Sequence, residues 1–177
     1  MIIYLVGFMG SGKSTLGRRL AARAGWTFMD LDTVIEQEEG MTLPRIFKEK
    51  GEAYFRELES KVLRDTEGMK DVVIACGGGT PCYGDNMVFM NSAGLSIYLK
   101  LTAKALFERL HNAKVTRPLL EGMNSDEMKV YIEQKLDERE KCYLRSKMVV
   151  DALSTDPGTL LSIILYEPPY NRGRDQY

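Results

Sequence analysis

Histidine, cysteine and long apolar runs are all scarce in this 177-residue chain. His111 is the one histidine, which argues against a metal site built on histidine ligands. Cys76, Cys82 and Cys142 are odd in number and show no CxxC spacing. Since disulfide scaffolds are short and dense in cysteine, we expect three unpaired thiols in a reducing cytosol.

The chain also lacks a strong charge of either sign and any apolar segment long enough to span a bilayer. Its net charge of −1 supplies no general basic field for a nucleic acid. The N-terminus shows no charged region or cleavage site typical of a secretory signal. We therefore expect a cytoplasmic protein without a membrane or nucleic-acid partner, and no feature requires more than a monomer.

What the sequence does contain is an alternation of short β-rich runs with longer helical patterns. Several of the β-rich runs are apolar throughout, which is typical of a parallel sheet covered on both faces. Strands are predicted at 2–6, 27–31, 71–76, 96–101 and 147–153. Helices are predicted at 13–24, 53–66, 103–111, 126–143 (with Ser125 as N-cap) and 157–165 (with Asp156 as N-cap). This order predicts an α/β sandwich with right-handed crossovers.

The predicted organisation is one domain over residues 1–166. The weakly patterned segment 112–124 separates two predicted helices and has the length of a lid. The Pro- and Gly-rich segment 167–177 is predicted to be a flexible tail.

The segment "GFMGSGKST" follows the first predicted strand directly and opens the first predicted helix. Gly7-x-x-x-x-Gly12-Lys13-Ser14 matches the P-loop pattern, in which backbone N–H groups surround phosphate oxygens at a positively polarised helix N-terminus. Lys13 is expected to reach the β- and γ-phosphates, and the Ser14 hydroxyl to bind Mg²⁺. The expected nucleotide contacts are Gly10, Ser11, Gly12, Lys13, Ser14 and Thr15. The pattern predicts a nucleoside-triphosphate site.

Two carboxylates, Asp30 and Asp32, lie at the end of the second predicted strand. Their i, i+2 spacing would direct both side chains to the same face. One could support the metal and the other could orient or deprotonate a hydroxyl. Alternatively, Asp32 is the cap of the next helix, since "DTVIE" has the form of a capping box.

Further charged residues and glycines follow. Arg56 and Glu59 are three residues apart on one helical face, where they form either an oriented guanidinium or an ordinary surface pair. The triplet Gly77–Gly79 follows a buried strand, which suggests that a ligand approaches bare backbone. The triplet stands where many P-loop proteins carry an acid, so the metal is assigned to Ser14 and Asp30.

Arg117 lies in the predicted lid, where it could close on the transferring phosphoryl group. By charge density alone, Arg139 belongs to a solvated helix face.

Together these residues resemble the shikimate kinase family over nearly the whole chain. The resemblance is carried by "GFMGSGKST", "FMDLDTVIE", "FRELE", "GGGT", "RPLL" and the "ER" to Tyr143 segment, in the family's order and approximate spacing. It implies a three-layer α/β fold like that of nucleoside-monophosphate kinases, with a five-stranded parallel sheet and a mobile lid. It also implies transfer of the ATP γ-phosphate to the 3-hydroxyl of shikimate, with Mg²⁺.

The resemblance also implies roles for individual residues. Asp32 would hold the acceptor hydroxyls and act as base, while Arg117 would contact ATP from the lid. Arg56 and Arg139 would bind the substrate carboxylate, with Glu59 orienting Arg56 and the backbone of Gly77, Gly78 and Gly79 assisting. Family members often carry an arginine just before the last helix, where this chain has Ser154, Thr155 and Asp156. The sequence therefore identifies no adenine contact.

Two other functions remain open from the sequence. One is a gluconate-type, nucleoside-monophosphate or other small-molecule kinase, and the other is a non-catalytic relative that only binds nucleotide. Lys13, Asp32 and Arg117 are all present, whereas a silent relative is expected to have lost at least one of them.

Overall fold

The structure, a computed structural model, describes residues 1–113, 120 and 122–166 of the chain. The strands are β1 (Ile2–Val6), β2 (Thr27–Asp30), β3 (Val72–Ala75), β4 (Leu95–Lys100) and β5 (Met148–Asp151). The helices are α1 (Lys13–Ala24), α2 (Leu31–Glu39), α3 (Leu43–Arg64), α4 (Asn86–Ala93), α5 (Ala103–His111), α6 (Ser125–Tyr143) and α7 (Pro157–Tyr166). A short 3₁₀ turn spans Thr80–Cys82.

The five strands form one parallel sheet in the order β2-β3-β1-β4-β5, which confirms the predicted sheet. Every residue of β1 and β3 is buried, as expected for central strands covered on both faces. From β1 the chain runs toward one edge of the sheet to form β2 and β3, and after β3 it crosses to the other edge to form β4 and β5. The strand order therefore reverses beside β1. Open α/β sheets bind ligands at the carboxyl ends of the strands near such a reversal.

Helices cover both faces of the sheet and complete the predicted three-layer sandwich. On one face, α1 and α7 pack Leu20 and Ile164 against a core that includes Ile3, Leu5 and Ile97. The larger core on the other face contains buried residues of α2, α3, α4, α5 and α6. Because all the strands are parallel, the loops that follow them leave the sheet at the same end, where the strands have their carboxyl termini.

The helix pattern differs from the sequence prediction in three places. Helix α3 begins at Leu43 rather than at residue 53, because the chain is helical on both sides of a kink at Gly51 (φ 84°, ψ 168°). Helix α4 was not predicted; it is short and buries Asn86, Met87 and Met90 rather than presenting a clear polar face. Helix α2 starts at Leu31, inside the segment predicted as the second strand.

The structure bears on the predictions about the thiols and the membrane span, but it does not describe most of the predicted lid or the predicted tail. Cys76, Cys82 and Cys142 are free thiols. Across the described ranges, no helix combines the length and apolar character needed to cross a membrane. Residues 114–119 and 121 of the predicted lid, which include Arg117, lie outside the described residues, as does the predicted tail. The lid and the tail therefore stay predictions.

The N-cap of α6 is Asn124, one residue before the predicted cap Ser125. The Asn124 side chain accepts hydrogen bonds from the N–H groups of Asp126 and Glu127, and the Glu127 carboxylate accepts from the Asn124 N–H. This reciprocal capping box satisfies donors that the helix cannot satisfy itself. At the last helix the prediction is confirmed, since Asp156 accepts from the Thr159 N–H.

Replacing Asn124 by alanine is therefore expected to lower the free energy of unfolding by about 1 kcal/mol, because the first turn of α6 loses its acceptor. Urea unfolding of Asn124→Ala measures this loss. Ser125→Ala is the matched control and should change the free energy of unfolding by less than half as much. Equal losses in the two variants would show that the cap is assigned to the wrong residue.

Candidate active site

The loop between β1 and α1 has the backbone geometry of an anion cradle. Gly10 and Gly12 adopt positive φ angles of 79° and 99°, a region that L side chains rarely occupy. Gly12 is the N-cap of α1, so the free N–H groups of the helix open onto the loop. The Lys13 ammonium closes the loop by donating to the carbonyl oxygens of Gly7 (2.8 Å) and Phe8 (2.9 Å).

Two cavities adjoin this loop and share part of it as their wall. The smaller, about 300 Å³, is lined by Lys13, Ser14, Asp30, Asp32, Gly77 and Gly78 among others. The larger, about 480 Å³, is lined by Ser11, Arg19, Arg109, Leu153, Thr155 and Pro157 among others. Gly10, Gly12 and Thr15 line both cavities. All six predicted nucleotide contacts thus border a cavity.

The Ser14 hydroxyl donates to Asp30 Oδ2 at 2.7 Å. This contact brings together the hydroxyl and the carboxylate that the sequence assigned to the metal. Among the described residues, no group of three or more His, Cys, Asp or Glu side chains could hold a metal ion. One carboxylate and one hydroxyl fit Mg²⁺ in phosphoryl-transfer sites, where phosphates and water supply the remaining ligands.

Asp32 lines the same cavity as Asp30, but it does so from a helix and not from the end of the strand, as the sequence predicted. Strand β2 ends at Asp30, which is the N-cap residue of α2, and Asp32 lies in the first turn of that helix. The two carboxylates therefore do not project from one strand face, and the alternative of Asp32 as helix cap is wrong. They converge because the strand turns directly into the helix at the edge of the cavity.

The pKa of Asp32 is raised from 3.8 to about 6. Burial is the main cause, because it penalises the charged form, and the negative charges of Asp30 and Glu59 add to it. The positive charge of Lys13 acts in the opposite direction. A carboxylate with a raised pKa is a better proton acceptor than an exposed aspartate, and such shifts are common at functional sites.

The glycine triplet after β3 packs against charged side chains from three helices. A Cβ built on Gly77 would lie 2.6 Å from Glu59 Oε1 and 3.1 Å from Asp32 Oδ1. On Gly79 it would lie 2.5 Å from Arg56 Nη1, and on Gly78 it would lie 3.5 Å from Arg139 Nη1. The absence of side chains at these glycines therefore makes room for charged groups of the protein itself. The sequence had suggested only that a ligand approaches the bare backbone.

Arg56 is held by a buried carboxylate. Its Nη1 donates to Glu59 Oε2 at 2.8 Å, and the Glu59 side chain is 1% exposed. Glu59 also accepts a hydrogen bond from the hydroxyl of Thr80, which is fully buried. Although burial alone would lower the pKa of Arg56, the carboxylates of Glu59 and Glu52 together raise it. The alternative of an ordinary surface pair is wrong.

Arg139 lies on α6, with its guanidinium beside Gly78, next to the glycine that Arg56 contacts. It is partly buried, with its guanidinium carbon 5.9 Å from the centre of the Phe8 ring. Arg139 is therefore not part of a solvated face, in contrast to the expectation from charge density alone. Arg56 and Arg139 do not line the smaller cavity themselves, but Arg139 lies beside Gly78, which does line it, and Arg56 lies beside the next glycine, Gly79.

Sequence reasoning missed Arg109 in the last turn of α5. Its guanidinium donates to the carbonyl oxygens of Ser11 (3.1 Å) and Ala152 (3.4 Å), so it ties the phosphate loop to the end of β5. Arg109 and Thr155 both line the larger cavity. Arg109 thus adds an arginine beside the segment in which the sequence identified no adenine contact. Its separation from Ser11 is 98 residues, so no local pattern could place it there.

The parallel sheet, the phosphate loop and the acidic and basic groups beside it define a small P-loop kinase. The shikimate kinase family model matches residues 9–165, and the chain belongs to this family. A shikimate kinase of Parabacteroides distasonis is 42% identical over 150 residues, which cover 85% of this chain and 87% of the relative.

Solved structures agree with this assignment. A shikimate kinase from Bacteroides thetaiotaomicron is 38% identical, with a TM-score of 0.86 over 93% of this chain and 96% of the other. A shikimate kinase from Acinetobacter baumannii in complex with shikimate is 33% identical, with a TM-score of 0.82 over 98% of this chain and 95% of the other. A deoxyadenosine kinase from M. mycoides, 17% identical with a TM-score of 0.57, shares the fold alone.

The burial of Asp32 predicts a pH dependence of stability in protein free of nucleotide and metal. Between pH 3.8 and about 6 the folded state keeps a proton that the unfolded state releases. The free energy of unfolding of the wild type should therefore fall relative to that of Asp32→Asn as the pH rises from about 4 to 7. Urea unfolding of both proteins across this range measures the difference.

The control for loss of a carboxylate is Asp137→Asn, at an exposed position of α6. A wild-type-minus-variant difference for Asp32→Asn that stays flat, or that increasingly favours the wild type at higher pH, would contradict the burial of this carboxyl group.

Proposed function

We propose that this chain transfers the γ-phosphoryl group of ATP to the 3-hydroxyl of shikimate, giving shikimate 3-phosphate and ADP in the biosynthesis of chorismate and aromatic amino acids. The observation that carries this proposal is the position of the glycine triplet: Gly77 and Gly78 line the phosphate-loop cavity, while Arg139 lies beside Gly78 and Arg56 lies beside Gly79. Membership in the shikimate kinase family supports the same activity. The protein would act as a monomer in the cytoplasm.

In this proposal the triphosphate binds to the loop of Gly10 to Thr15, and the adenine occupies the larger cavity. Arg109 borders that cavity with Pro157 and offers a planar guanidinium face to a base. Mg²⁺ would be held by Ser14, directly or with Asp30 through water. The ion would supply charge stabilisation to the transferring phosphoryl group.

The acceptor would bind across the smaller cavity and the glycine triplet. A carboxylate is matched by two guanidinium groups, which can each donate two parallel hydrogen bonds. Arg56 and Arg139 would bind this carboxylate, with backbone N–H groups of Gly77, Gly78 and Gly79 assisting. The hydroxyl end would then face Asp32, which lines the same cavity as Lys13.

Phosphoryl transfer requires that the acceptor hydroxyl, the γ-phosphorus and the leaving oxygen lie in line. The hydroxyl oxygen forms the new bond to phosphorus as the bond to ADP breaks. Asp32 would align the hydroxyl and accept its proton, since its raised pKa makes it a stronger base than an ordinary aspartate. Lys13, together with Arg117 from the predicted lid at 112–124, would stabilise the charge on the phosphoryl oxygens.

A coupled assay of ADP release with shikimate, gluconate and AMP offered separately tests the substrate class. We expect turnover with shikimate to exceed turnover with either alternative by at least about a hundredfold, because only shikimate combines the ring hydroxyls with a single carboxylate. Lys13→Ala provides the background rate. A preference for gluconate or AMP, or no acceptor-dependent release at all, would reject the proposal in favour of another kinase or a non-catalytic binder.

Arg56→Ala should raise the KM for shikimate by about tenfold to a hundredfold, because a charged hydrogen-bond donor to the carboxylate is lost. The KM for ATP should stay within about twofold. Initial-rate kinetics with each substrate varied in turn separates the two effects.

The matched control is Arg45→Ala, which removes an exposed arginine of the same helix that is also paired with a glutamate, Glu49. It should leave both KM values unchanged. An increase confined to the KM for ATP in Arg56→Ala would show that the carboxylate is bound elsewhere.

A further inference from the structure

Tyr143 at the C-terminal end of α6 connects that helix to the glycine triplet. It lies four residues after Arg139, so both side chains share one face of the helix. Its ring is fully buried and packs on the ring of Tyr98 at a centroid distance of 5.1 Å. Its hydroxyl donates a hydrogen bond of 2.6 Å to the carbonyl oxygen of Gly78.

The protonation state of Tyr143 fits this donor role. Burial raises the pKa of the phenol well above its ordinary value, and the positive charge of Arg139 and its interaction with the hydroxyl oppose the shift. The hydroxyl therefore keeps its proton at physiological pH and donates a hydrogen bond to the Gly78 carbonyl. Its oxygen can still accept from a guanidinium, which has donors and no acceptor.

The hydrogen bond also constrains the neighbouring peptide. The carbonyls of Gly77 and Gly79 accept from N–H groups of Thr80 and Cys82, within the turn itself. The Gly78 carbonyl is instead held from outside the turn, by α6. Because a trans peptide is planar, fixing the Gly78 carbonyl directs the Gly79 N–H the opposite way. Glycine provides no steric restriction of its own, so an external contact is needed to fix this plane.

We propose that Tyr143 is a positioning residue for the acidic end of the acceptor. Its hydroxyl holds the Gly78 carbonyl from the same helix that carries Arg139, which fixes the spacing between the Arg139 guanidinium and the Gly79 N–H where the two meet one carboxylate. The inference rests on the proposed function and adds a residue that acts through others rather than touching the substrate. Binding energy depends on such spacing, because a small displacement of either donor weakens a bidentate contact.

Tyr143→Phe removes the hydroxyl and keeps the ring. We expect the KM for shikimate to rise about tenfold, while kcat and the KM for ATP stay within about twofold. Tyr98→Phe is the matched control, since it removes a second hydroxyl from the same aromatic pair, one that donates to Glu140 and not to the glycine triplet. It should leave all three constants within about twofold.

A double-mutant cycle with Arg139→Ala separates positioning from loss of packing. If Tyr143 acts through Arg139 and the Gly78–Gly79 peptide, Tyr143→Phe should raise the KM less in the Arg139→Ala background than in the wild type. Equal increases in both backgrounds, an unchanged KM, or a parallel loss in kcat and both KM values would overturn the inference.

A second measurement does not depend on whether the variant folds. In the ¹⁵N-labelled wild type, titration with shikimate should shift the amide resonance of Gly79, because its N–H faces the carboxylate. An unchanged Gly79 resonance at saturating shikimate would also overturn the inference. Failure of the wild type to phosphorylate shikimate would instead reject the proposed function itself, so the two failures are distinguishable.

Discussion

The close packing of charged groups around Gly77–Gly79 is the constraint on which the rest of the site depends. Each glycine lies against a different charged group: the Glu59 and Asp32 carboxylates are at Gly77, the Arg139 guanidinium is at Gly78 and the Arg56 guanidinium is at Gly79. A Cβ at Gly77 or Gly79 would approach within 2.6 Å of those groups, and that contact could be relieved only by moving them. The bare backbone at the end of β3 thus lets three helices bring their charges to one point.

Burial of the Arg56–Glu59 pair has an energetic cost and a functional consequence. Taking both charges out of water is unfavourable, and their attraction offsets this cost only if the remaining hydrogen bonds are made. The Thr80 hydroxyl and the exposed Glu52 carboxylate supply such bonds. A guanidinium held in this way loses little freedom when it binds a carboxylate, so the pair is better explained by preorganisation than by stability.

The sequence predicted the parts of the site that depend on local pattern and missed those that depend on distant contacts. The phosphate loop and the central strands β1 and β3 are contiguous, so their residues alone identify them. Asp32 was placed correctly beside the cavity but on the wrong element, because the strand-to-helix boundary at Leu31 leaves no clear pattern. The contacts of Arg109 with Ser11 and of Tyr143 with Gly78 span 98 and 65 residues, and they form only when the sheet is assembled.

The most direct test is a crystal structure of this protein with shikimate and ADP bound together. The account predicts that the shikimate carboxylate lies between Arg56 and Arg139 beside Gly79. It also predicts that the 3-hydroxyl lies within hydrogen-bond distance of Asp32 and faces the β-phosphate held by the Gly10–Thr15 loop. A carboxylate bound away from both arginines, or a 3-hydroxyl directed away from the phosphate loop, would contradict it.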